Sequence, residues 1–132
     1  MLRSLLPVLL ALPLLLTACR KEPGEGGRAE IRGFVYEQRY GASSGNPQGD
    51  PYPLAEARVY IIYGDGQYAD DDTRTGPNGE FRFAWLRQGD YRIYVISECN
   101  AYINCTEGIY LNTEVTSRKD VVNVGRITVR NY

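Results

Sequence analysis

Few residues of this chain could do chemistry, and their types set narrow limits. Its 132 residues include no histidine, which removes the commonest general base and metal ligand. A serine nucleophile working with lysine could draw only on Lys119 in the body of the chain. No glycine-rich phosphate loop leads from a strand into a helix. No catalytic residue is assigned, and the expectation is a protein that is not an enzyme and carries no cofactor. Cys99 and Cys105 could in principle ligate a metal, but no second cysteine pair accompanies them. Asp65, Asp70, Asp71 and Asp72 crowd one stretch. Carboxylates at close range suit Ca²⁺, which takes six to eight oxygens. Their spacing lacks the EF-hand order and no glutamate closes the set. The plainer reading is a solvated acidic loop that discourages edge pairing, so no metal is expected, with these four aspartates as the calcium alternative. Tyrosine, at eleven residues, is the other abundant group, and its use depends on where the backbone turns it.

The first residues form a leader. Arg3 supplies a positive start, Leu5 to Leu16 is apolar apart from Pro7 and Pro13, and the small residues Thr17 and Ala18 follow. Those twelve apolar-region residues would span roughly 18 Å as helix, short of a hydrocarbon core of about 30 Å. Leu16-Thr17-Ala18-Cys19 resembles the lipobox of bacterial lipoproteins at every position. The resemblance implies cleavage before Cys19, a diacylglyceryl thioether on its sulfur and acylation of the new amine. Residues 1–18 would then be a lipoprotein signal peptide, and the acyl chains (palmitate among them) would hold Cys19 in a bilayer, since each buried CH₂ contributes about 0.8 kcal/mol. Arg20 and Lys21 follow in place of an aspartate. By the same resemblance this favours the outer over the inner membrane of the cell envelope. The exported compartment permits a disulfide between Cys99 and Cys105.

Loss of Arg3 with the leader leaves 14 basic residues against 16 acidic ones. No basic stripe suggests nucleic acid. Residues 19–29 hold the lipidated cysteine and a polar, glycine-rich stretch that reads as a flexible tether. Residues 30–132 make one domain.

In that domain the hydrophobic period is two. Phe81, Phe83 and Trp85 alternate with Arg82 and Ala84; Tyr91, Ile93 and Val95 with Arg92, Tyr94 and Ile96; Val59, Ile61 and Tyr63 with Tyr60 and Ile62. Turn signals at Gly64-Asp65-Gly66, Gly76-Pro77-Asn78-Gly79 and Gln88-Gly89-Asp90 separate the runs. Seven strands are predicted, near 30–37, 57–63, 71–75, 80–85, 90–97, 109–115 and 124–130. The polar segment 39–53 is predicted as a long loop. Such spacing argues an all-β, antiparallel sandwich.

These motifs also resemble a family. Ile31-Arg32-Gly33-Phe34-Val35, Pro53-Leu54-Ala55-Glu56-Ala57-Arg58-Val59 and Thr73-Arg74-Thr75-Gly76-Pro77-Asn78-Gly79-Glu80-Phe81-Arg82-Phe83, then Leu86 and Gly89-Asp90-Tyr91-Arg92-Ile93-Tyr94-Val95, are similar to the pattern of carboxypeptidase regulatory-like domains. The likeness runs over about residues 30 to 97. It implies a seven-stranded transthyretin-like, immunoglobulin-type β-sandwich. The peptidase domain that such accessory domains accompany is absent from this sequence. A related hydroxyisourate hydrolase would need histidines and a Tyr-Arg-Gly-Ser end, whereas this chain ends Val129-Arg130-Asn131-Tyr132.

Strand phase then singles out a surface. With Val59, Ile61, Ile93 and Val95 inward, Tyr60, Ile62, Tyr94 and Ile96 share an outer face. An apolar stripe there reads either as a contact surface or as a face covered by the long loop with Tyr40 and Tyr52. The functional expectation is a membrane-anchored, non-catalytic binding or structural module of the envelope, contacting another protein. The alternative is a glycan-binding module that takes a polysaccharide.

Overall fold

The computed structural model describes residues 22–100 and 104–132. Residues 1–18, expected to be a signal peptide, and Cys19 lie outside the described residues, as do residues 101–103 of the loop that the disulfide closes. The described residues form eight strands and no helix: β1 Glu25–Tyr40, β2 Pro47–Pro53, β3 Arg58–Tyr63, β4 Asp71–Arg74, β5 Glu80–Leu86, β6 Gly89–Glu98, β7 Thr106–Val115 and β8 Val121–Asn131. No helix among them is long and apolar enough to cross a membrane.

Two four-stranded sheets face each other as a β-sandwich. In one, the long β1 is central. β8 runs parallel to it along one edge, while β5 and β2 pair antiparallel with its first and second halves along the other. In the second sheet the order is β4-β3-β6-β7, antiparallel throughout. Ala29, Ile31, Val35, Phe81, Phe83, Leu86, Ile127 and Val129 from the first sheet meet Val59, Ile61, Tyr91, Ile93, Val95 and Val115 from the second in one core. The period-two pattern is the cause: each strand puts alternate side chains between the sheets.

Three details depart from the sequence reading. The first is the strand count: eight strands replace seven, because Pro47–Pro53 of the supposed loop pairs with the end of β1. The sheet it joins is not purely antiparallel, since β1 and β8 run together.

The second concerns the tether. β1 begins at Glu25, inside it, with Glu25 opposite Leu86 and the Arg87 N–H donating to the Gly24 carbonyl at 2.8 Å. The glycines that read as flexibility serve close approach instead. A Cβ on Gly27 would sit 1.8 Å from the Leu86 carbonyl oxygen.

The third is Trp85. The alternation through Phe81 and Phe83 breaks there, because its φ is 58°. The indole turns out to 68% exposure and Leu86 takes the buried place. An L-residue in this region costs about 1–2 kcal/mol.

Arg82 adds an ion pair. It points outward as the phase requires, yet holds the largely buried Glu30 carboxylate at 2.5 Å, which Arg32 also grips at 2.6 Å.

Two motif residues show their physical role. Gly79 lies where β5 and β2 both meet β1 and takes φ 76°. A Cβ there would come within 2.4 Å of the Val35 carbonyl oxygen. Thr75 is buried, its hydroxyl accepting the Ala57 N–H at 2.8 Å and donating to the Leu54 carbonyl at 2.6 Å. It thereby fixes the connection between β2 and β3.

Candidate functional site

The second sheet's outer face is built by register. Asp72, Tyr60, Tyr94 and Tyr110 are successive cross-strand partners on β4, β3, β6 and β7. The three rings stack. Tyr60 and Tyr94 have centroids 4.8 Å apart at 12° between planes, and Tyr94 and Tyr110 are 4.9 Å apart at 30°. These separations repeat the strand spacing of about 4.7–4.9 Å. Each ring therefore stands over its own strand, face toward its neighbour, with edges outward. Gly108 makes room for the last of them: a Cβ there would lie 2.6 Å from the Tyr110 ring. Burial, then the neighbouring Tyr110 and Tyr60, pushes the Tyr94 phenol's pKa up.

Ile96 lies on this face and is exposed, beside Gly108 in the next row. Ile62 shares the phase but not the exposure. At 2% it is buried, which corrects its place on an open stripe. The turn after β3 folds back over it, with Arg92 donating to the Gly66 carbonyl and the Asp70 carboxylate accepting the Tyr63 N–H at 2.7 Å. The segment with Tyr40 and Tyr52 does not reach this face. Tyr52 donates to Glu37 and Tyr40 stacks on Tyr132, both on the first sheet. Tyr110 was missed as a site residue because its partner is set by the β6–β7 register, although inward Ile109 and Leu111 place it outward by phase alone.

Beyond Arg92 the face dips into an open depression lined by Gly64, Asp65, Asp90, Tyr91, Arg92, Asn112, Thr113 and Glu114. Its polar groups are the Asp65, Asp90 and Glu114 carboxylates, the Asn112 amide, the Arg92 guanidinium and the Thr113 and Tyr91 hydroxyls, a set that can hydrogen-bond hydroxyls. The acidic residues are spread rather than convergent. Asp70 caps Tyr63, Asp71 accepts the Asp72 N–H at 2.8 Å, and Asp72 pairs with Arg58 at 3.2 Å. Among the described residues no three carboxylate or thiol groups come together as a metal site. Cys99 and Cys105 stand at disulfide distance, Cα–Cα 5.4 Å, and the Cys99 N–H donates to the Cys105 carbonyl at 3.2 Å. They fasten the end of β6 to the start of β7, the strand that carries Tyr110.

No family profile matches the chain and no curated protein matches it. Solved structures similar to it include a Pseudomonas aeruginosa protein provisionally described as carbohydrate-binding. That chain is 14% identical with a TM-score of 0.45, over 82% of this chain and 91% of its own. A DUF3823 family protein of Parabacteroides merdae is 18% identical with a TM-score of 0.39, over 80% of this chain. This chain spans less than half of that one, 46% of its length. Neither likeness bears on what the chain binds.

Proposed function

We propose that this protein is a lipid-anchored, non-catalytic binding module of the bacterial envelope, on the outer membrane, with a carboxypeptidase regulatory-like sandwich that meets a protein partner through the outer face of β3, β6 and β7. The observation that carries the binding face is the stacked row Tyr60–Tyr94–Tyr110, ending in a half-exposed Tyr110 beside exposed Ile96. Tyrosine gives large contact area at low entropic cost. The ring geometry favours protein over sugar. A pyranose stacks on a free aromatic face, and the stacking occupies both faces of Tyr94 and one face each of Tyr60 and Tyr110. The lipobox-like Leu16-Thr17-Ala18-Cys19 supports the anchor. The absence of histidine from the whole sequence supports a non-catalytic role.

A second reading has its own observation. Asp90, Asn112 and Glu114 in the depression could hydrogen-bond the hydroxyls of a polysaccharide. One experiment separates the two. The protein is crosslinked in its own envelope and recovered with what it holds, alongside an Ile96→Lys/Tyr110→Thr variant and an Asn112→Ala/Glu114→Ala variant. Protein contact through the row gives an adduct that the first variant loses and the second keeps. Polysaccharide recovered with the first variant and lost with the second would favour the sugar reading. Unchanged recovery of a protein partner with both variants would mean that this face is not the site.

A further inference from the structure

Two aromatic side chains stand out far from the core. Among the exposed large hydrophobics, Tyr68 at 82% and Trp85 at 68% are the most exposed. Both lie at one end of the sandwich, Tyr68 in the turn between β3 and β4 and Trp85 at the close of β5. That is also the end where the chain enters the fold. Pro23 sits against Gly64 and Gly89, the Gly24 N–H donates to the Tyr91 hydroxyl at 2.9 Å, and the Arg87 N–H donates to the Gly24 carbonyl at 2.8 Å.

Trp85 is the single tryptophan of the chain, and its exposure is not a by-product of packing. Its backbone is held at φ 58°, a conformation glycine meets freely and a bulky residue does not. The indole gains little burial in exchange. Neither the backbone nor the core accounts for a tryptophan there.

From these observations we infer that Trp85 and Tyr68 seat this end of the sandwich in the interfacial layer of a phospholipid bilayer; the inference rests on the anchor proposed at Cys19. Two residues, Arg20 and Lys21, lie between Cys19 and Glu22, and the three Cα–Cα steps reach at most about 11 Å. The headgroup layer on each side of the hydrocarbon is itself roughly 5–7 Å thick. An acylated Cys19 would therefore hold this end, and no other, against the membrane. Trp and Tyr are the residues enriched at that depth, where an apolar ring meets polar headgroups. Charge is not the driver. Arg20 and Lys21 beside the anchor, with Arg28, Arg87, Arg118 and Lys119 at this end, are matched by about as many carboxylates, so the attachment should change little with salt. Seated this way, the sandwich stands on end and the tyrosine row faces sideways, open to a partner in the same envelope layer.

The indole reports on itself. Full-length protein purified from its own membrane is reconstituted into phosphatidylcholine vesicles, with and without lipids brominated near the headgroup, and floated on a density gradient. A second preparation carries Trp85→Tyr with Tyr110→Trp, which moves the only indole to the flank. The expected result is flotation of both, with emission shifted to shorter wavelength and lost to the bromine quencher for the native protein alone. Flotation with no shift and no quenching at Trp85 would overturn the seating while leaving the anchor intact. Equal quenching at both positions would overturn it too, since the sandwich would then lie on its side. Failure to float would remove the anchor, and this inference with it.

Discussion

Single residues decide more here than their burial suggests, and Trp85 is the clearest case. Its side chain is mostly in solvent while its backbone is strained. Trp85→Gly should therefore raise stability by about 1 kcal/mol, because relief of the left-handed strain exceeds the little packing lost. Chemical denaturation would show it as a higher midpoint with an unchanged slope. A loss of stability would mean that the indole packs more than its exposure indicates. Sequence reasoning could read Phe81 and Phe83 as core because alternation is local. It could not read Trp85, because one positive φ breaks the alternation and nothing in the residue type announces it. Arg82 shows the same limit. Its outward phase was legible, but its hold on Glu30 was not, because that partner lies on another strand.

At the scale of elements, the tyrosine row is a product of register. Tyr60, Tyr94 and Tyr110 lie on three strands, and only the β3–β6 and β6–β7 pairings set them face to face. The phase of Tyr60 and Tyr94 was legible in the sequence, since their strands alternate strictly. The covering of Ile62 was not, because it depends on how the turn at 64–70 folds back. Nor was β2, whose polar, proline-rich sequence reads as loop and which pairs through a bulge at Glu37 to Arg39. The stacking makes the row structural as well as exposed. A double-mutant cycle on Tyr60→Ser and Tyr94→Ser should give a coupling energy of about 0.5–1.5 kcal/mol, the value for a stacked aromatic pair. Additive losses would mean that the rings do not support each other in solution. Because of this coupling, Ile96, exposed and outside the stack, is the cleaner position for testing partner binding.

For the whole molecule, the two faces of the sandwich are not equivalent. The first sheet's outer face carries Phe34 and an Arg126 guanidinium 4.6 Å over the Tyr36 ring. The second carries the tyrosine row, with the disulfide pair at the β6–β7 connection fastening the strand that bears Tyr110. The all-β class was legible from periodicity and turns. The central place of β1, and its parallel pairing with β8 from the far end of the chain, was not, because no local signal encodes a partner ninety residues away. If a partner uses the molecule, the row should be where it docks. A photoreactive phenylalanine placed at position 110, and separately at position 34 on the opposite face, tests this inside the living envelope. One discrete crosslinked product is expected at position 110 and none at position 34. No product at position 110, or the same product at both, would contradict docking on the row.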